Sequence, residues 1–136
     1  MVQSPHMRPI AKRYLIRVPA AAVWDALVST KTINAWGGGP AKMNGRKAQW
    51  WQLWGGDVCG RNLQVVKGKK LVQEWYGGDW DAPSKVVIAL KPTKTGTIVT
   101  LRHAGVPKEE HAGIRDGWDD YYFGPMKEFL ERKKKA

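Results

Sequence analysis

The sequence predicts an α+β domain, in which a curved antiparallel sheet of about six to seven strands wraps around one long C-terminal helix and two short helices follow the first strand. Three observations carry this expectation. Apolar residues alternate with period two over 11–18 and again through consecutive hairpins over 48–103. After Pro107 the period changes to 3–4, with Ile114, Trp118, Tyr121, Tyr122, Met126, Phe129 and Leu130 on one stripe. No linker interrupts the 136 residues, so one domain over 1–136 is expected, with flexible tails at 1–9 and 133–136.

Each element has its own signal. In the first strand Tyr14, Ile16 and Val18 share a face. Pro19 suits the first turn of a helix, and Val23, Trp24, Leu27 and Val28 give that helix its apolar stripe. Ser29 or Thr30 can cap a second helix, which Gly37-Gly38-Gly39-Pro40 ends after Trp36. Ala48–Trp54 is aromatic-rich and reads as a strand, and Gly55-Gly56-Asp57 as its turn. Arg61–Val66 and Leu71–Tyr76 flank the turn Lys67-Gly68-Lys69-Lys70, and Lys85–Leu90 and Thr97–His103 flank Pro92–Gly96. The last helix runs from about Glu109 to Arg132, kinked but not ended by Gly124-Pro125.

Composition narrows the function classes. One cysteine, Cys59, excludes a disulfide framework, a zinc knuckle and a CxxC pair. No apolar run approaches the ~18 residues of a membrane span, and 1–14 lacks a signal peptide's apolar stretch, so a soluble cytoplasmic protein is expected. Eight tryptophans and a net charge of +11 stand out. Residues 105–136 carry seven basic and seven acidic residues, so the whole excess belongs to 1–104. Such a body attracts anionic partners.

Catalytic chemistry is not expected. His6, His103 and His111 have no ligand-spaced partner, so neither a metal nor another cofactor is expected. Asp79 and Asp81 flank Trp80, and Asp119 and Asp120 adjoin on the helix; both pairs read as solvated carboxylates. Ser29 and Ser84 lack a neighbouring base, and no P-loop or GxSxG elbow exists. Trp50 with Lys42, Arg46 and Lys47 forms a basic–aromatic patch, but no RNA-module motif accompanies it, so nucleic acid is not an expected partner.

The helix stripe must bury against one face of the meander, and the space between them is either packed core or a ligand cavity. Its candidate lining is Trp36, Trp51, Trp75, Val99, His103, Trp118 and Tyr122, with His103 on the strand face of Val99 and Leu101. A hydrophobic or amphipathic small molecule would suit it. Arg46, Lys47, Lys67, Lys69 and Lys70, near exposed turns, form a candidate basic face for an acidic protein.

A family resemblance joins these signals. Its residues are Val23-Trp24-Asp25-Ala26-Leu27, Trp36-Gly37-Gly38-Gly39-Pro40, Leu53-Trp54-Gly55-Gly56-Asp57-Val58, Gly60-Arg61-Asn62-Leu63 and Val72-Gln73-Glu74-Trp75. Trp80, Ser84-Lys85-Val86, Gly105-Val106-Pro107, Gly117-Trp118, Tyr121-Tyr122 and Pro125-Met126-Lys127 continue it, across roughly residues 11–131. The set resembles the C-terminal-domain family of the activator of heat-shock protein 90 ATPase. That family lies within the helix-grip (SRPBCC) superfamily of START domains and the birch-pollen allergen. The resemblance implies a helix-grip fold and, as an alternative to ligand binding, a co-chaperone role with a heat-shock protein 90-type partner. The eukaryotic co-chaperone has a separate N-terminal domain without a counterpart in this sequence, so little ATPase stimulation is expected.

Overall fold

The structure is a computed structural model that describes residues 8–78 and 80–135. His6, Asp79 and most of the expected tails, 1–7 and Ala136, lie outside the described residues. Strand β1 (Ile10–Ile16) is followed by helices α1 (Ala20–Val28) and α2 (Thr30–Trp36). Five strands follow: β2 (Trp50–Leu53), β3 (Val58–Val66), β4 (Lys70–Gly77), β5 (Ser84–Pro92) and β6 (Thr97–Ala104). They form one antiparallel sheet in the order β1-β6-β5-β4-β3-β2. The expected meander is present, and its last strand closes on the first, Ile10 opposite His103 and Ile16 opposite Thr97.

Local chemistry sets the element ends. Pro19 stands just before α1 with extended backbone rather than inside the first turn. Ser29 caps α2, its hydroxyl accepting the Thr32 N–H at 3.3 Å. Gly37 ends α2 in the left-handed region at φ 114°, where a side chain would be strained. Trp54 does not continue β2; it begins a short 3₁₀ turn, Trp54–Gly56, so it leaves the strand-face pattern expected of it. The segment before β2 has little regular structure but is pinned to the sheet by a buried amide. Asn62 Nδ2 donates to the Asn44 and Arg46 carbonyls, both at 3.0 Å, and Asn62 Oδ1 accepts from buried Gln73 at 2.9 Å.

The last helix is not one regular α-helix. It comprises a turn at Lys108–Glu110, α3 (His111–Gly117), a π-helical segment at Trp118–Phe123, and α4 (Gly124–Lys135). Pro125 has no N–H to give and its ring crowds the carbonyl four residues back. The Gly124 N–H reaches five residues back instead, to the Asp119 carbonyl. A Cβ at Gly124 would collide with that same carbonyl oxygen. The wider turn corrects the expected stripe: Tyr121 swings out to 66% exposure, while Phe123, outside the expected stripe, is fully buried.

Helix and sheet meet on an aromatic seam. Tyr14 of β1 stacks on Phe123 at 4.7 Å, Phe123 on Trp118 at 5.7 Å, and Trp118 lies 5.6 Å from Trp75 of β4. Val86, Ile88, Val99 and Leu101 fill the sheet's inner face behind it. Lys12 and Tyr14 both bond Asp119 at 2.7 Å, tying β1 to the π segment. The hydrogen bond from Lys12, followed by that from Tyr14, holds the Asp119 carboxyl below its usual range.

Candidate functional site

A cavity of about 340 Å³ opens between the turn after β2, strands β3 and β4, and the α3–π face. Trp75 and Val58 form its sheet wall; Ile114, Trp118 and Tyr122 form its helix wall; Trp54 and Tyr121 stand at the sides. Asp57 supplies the one charged group of the lining. The room exists because α3 presents Gly113 and Gly117 here, one turn apart. A Cβ at Gly113 would meet nothing within 4 Å.

Three of the seven residues expected in this space line it: Trp75, Trp118 and Tyr122. The other four sit in packed core. Trp36 tilts against Tyr122 at 5.0 Å and donates its indole N–H to the Ala26 carbonyl at 2.9 Å, which fixes α2 on α1. Trp51 faces inward as its strand parity requires, but lies against Gly60, where a Cβ would stand 2.9 Å from its ring. Val99 is fully buried between its strand partners Tyr14 and Leu90. His103 is fully buried behind Trp75 and Trp118, whose rings stand edge-on to it at 4.8 and 5.6 Å. For His103 the reason is visible: the rings of Trp75 and Trp118 stand between it and the cavity. Sequence reasoning missed the other lining residues, Trp54, Asp57 and Val58 beside the sheet and Gly113, Ile114, Gly117 and Tyr121 on the helix; the two glycines four apart on an aromatic helix were the available signal.

His103 anchors a hydrogen-bond chain behind the cavity. Trp118 Nε1–H donates to His103 Nδ1 at 3.0 Å. An indole nitrogen can only donate, so Nδ1 is the acceptor and the proton of the neutral ring resides on Nε2. Nε2–H then donates to Ser84 Oγ at 2.7 Å, and Ser84 donates onward to the Trp75 carbonyl at 2.6 Å. Burial, followed by the charge on His111, lowers the His103 pKa to about 3. The sequence had left Ser84 without a neighbouring base, and the fold supplies one nineteen positions away. This contact is not an activated serine pair. General-base activation requires Nε2 to be unprotonated towards the hydroxyl, whereas here it carries the proton. The indole N–H groups of Trp51 and Trp75 have no acceptor among the described residues.

The remaining candidates scatter. Arg46, Lys47, Lys67 and Lys69 are exposed and Lys70 is half-buried. Arg46 and Lys67 border one surface depression with Trp24, Asp25 and Val28 of α1. His111 begins α3 and bonds the Arg8 carbonyl through Nε2 at 3.0 Å; Cys59 is half-buried. Among the described residues no group of three or more His, Cys, Asp or Glu side chains could hold a metal ion, and no helix is long and apolar enough to cross a membrane.

The sequence profile of the family described as Activator of Hsp90 ATPase homolog 1-like protein matches residues 17–131. The chain belongs to this family. Among curated proteins, an uncharacterized protein of Schizosaccharomyces pombe is 27% identical over 120 residues, 87% of this chain and 36% of that protein. The Hsp90 co-chaperone AHA1 of Saccharomyces cerevisiae is 26% identical over 121 residues, 81% of this chain and 34% of its own length. The chain thus spans about a third of the length of these two curated relatives. The crystal structure of an HSP90 activator from Plasmodium falciparum superposes with a TM-score of 0.84 at 19% identity, covering 92% of this chain and 97% of that one. That likeness establishes the shared helix-grip fold.

Proposed function

We infer that this domain is a non-enzymatic binding module whose ligand is a small hydrophobic or amphipathic molecule held in the cavity between β4 and α3. One observation carries the reading: an aromatic-walled space of about 340 Å³ lies between β4 and α3, open to solvent past Gly113 and Tyr121. That volume is at the small end of the ~300–1,000 Å³ of typical ligand sites. The locked tautomer of His103 and a cavity lining whose one charged group is Asp57 favour binding over chemistry.

The test uses Gly113. Gly113→Leu places a side chain in the cavity from a helical position with open space before it. Replacing an interior helical glycine also favours the helix by up to ~1 kcal/mol. The variant is expected to fold at least as stably as the parent and to lose the thermal shift and tryptophan-emission change that a fatty acid or aromatic screening compound produces. A parent protein without either response to an apolar ligand screen, after ligand stripping, would leave the cavity a packing void.

A second reading is favoured by family membership and by the yeast relative named as an Hsp90 co-chaperone. In this reading the domain docks on an acidic chaperone surface through Arg46, Lys47, Lys67, Lys69 and Lys70. Arg46 and Lys67 flanking one depression beside α1 support it.

A further inference from the structure

The helices of this fold cover one face of the sheet. On the other face Arg13, Arg61, Lys70, Lys85, Lys91 and Arg102 alternate outward along their strands, and Glu74 is the only carboxylate in any of the six strands. Glu74 is already paired with Arg61 at 3.4 Å. At one border of this face Trp50 of β2 is 60% exposed. Its ring is not adrift: Tyr76 of β4 stacks near it at 6.4 Å and 28°, and the Arg61 guanidinium lies 5.8 Å from its centroid. The register places Arg61 directly beside Trp50 and Glu74, and Lys85 beyond Glu74. Arg102 and Arg13 continue the basic surface on β6 and β1. The strands that carry Trp50 and Arg13 stand five gaps apart, roughly 24 Å across the sheet at ~4.8 Å per gap.

We propose that this open sheet face binds single-stranded nucleic acid, with one base stacked on Trp50 and the following phosphates crossing Arg61, Lys85 and Arg102. The charge alone suits any polyanion. The exposed, buttressed indole decides for unpaired bases, which offer a π-face that an acidic polypeptide or a lipid headgroup lacks. Arg61 braces that indole and is itself held by Glu74, so the platform is preformed. The basic–aromatic signal at Trp50 is thus completed by β3, β5 and β6 rather than by Arg46 and Lys47.

The experiment is a fluorescence-anisotropy titration of the intact protein with a labelled single-stranded RNA of about 12 nucleotides, alongside a duplex of equal length, poly-glutamate and anionic vesicles. Binding to the single strand is expected at 50 mM salt, with quenching of tryptophan emission. The affinity should fall with salt at a slope of about −0.7 per phosphate contacted. Trp50→Ala is expected to weaken binding roughly tenfold and Trp50→Phe much less, as loss of one stacked base requires. Lys85→Glu with Arg102→Glu should flatten the salt slope. All these residues are exposed, and circular dichroism checks that each variant folds. Absence of binding at 50 mM salt overturns the proposal. Equal binding of poly-glutamate or vesicles, with Trp50→Ala neutral, also overturns it and makes the face a general anion surface.

Discussion

Trp118 does two jobs through one side chain: its ring packs between sheet and helix, and its N–H dictates which nitrogen of His103 holds the proton. In the unfolded chain that imidazole protonates near 6.5, in the fold only near pH 3. Between those values the unfolded state binds the extra proton, so stability falls as pH falls. The contribution is complete above about pH 6.5 and amounts to roughly 4–5 kcal/mol at 1.36 kcal/mol per unit. Trp118→Phe keeps most of the packing and removes the donor to Nδ1. It is expected to cost about 2–4 kcal/mol at pH 7.5. It should also move the acid limb of stability to higher pH, because Nδ1 is then free to take a proton. Urea melts from pH 4 to 8 read both; an unmoved acid limb would mean the Trp118–His103 bond does not control the ring. The inward direction of His103 was legible from its parity with Val99 and Leu101. Its partners were not, because Ser84 and Trp118 come from another strand and a helix, nineteen and fifteen positions away.

At the scale of elements, the C-terminal helix departs furthest from its sequence pattern. Period 3–4 revealed a helix and its apolar side, and Gly124-Pro125 marked the irregularity. Its form was hidden, because a π turn depends on which carbonyl receives one N–H. The Asp119 carbonyl receives that of Gly124, and this choice turns Tyr121 outward and Phe123 inward. Gly124→Ala tests the account by its sign. Helix propensity alone predicts a gain of up to ~1 kcal/mol. The collision with Asp119 predicts a loss of about 1–3 kcal/mol instead, as for other overpacked sites. Thermal melts that show stabilisation would refute the collision. The same helix explains why only part of the cavity was legible: Trp118 and Tyr122 announce themselves by size, whereas Gly113 and Gly117 create the space by having no side chain.

Across the whole molecule the sheet separates two surfaces of different chemistry, one buried and aromatic, the other open and cationic. The net charge of +11 was plain in the sequence, but its division between the β3–β4 turn and the outer strands needed the register. The co-chaperone reading draws on the turn. Lys67→Glu, Lys69→Glu and Lys70→Glu together are expected to abolish binding to the host's Hsp90-type chaperone and leave the melting temperature within a few degrees. Parental binding should itself weaken steeply between 50 and 150 mM salt, since screening acts beyond about 8 Å at physiological ionic strength. Calorimetric titration measures both; no complex at 50 mM salt would remove this reading and leave the cavity's intact.

The pairing of Ile10 with His103 joins positions about 90 residues apart, so on a ribosome adding ~5–20 residues per second the first strand waits several seconds for its neighbour. Until then Ile10 and Ile16 have no sheet to enter, and β5 has an unclosed edge. Folding of this domain is therefore a late event in its synthesis. The nascent chain carries a growing, half-finished meander with backbone donors and acceptors unpaired, the kind of surface that holding chaperones protect and that aggregates when they are scarce.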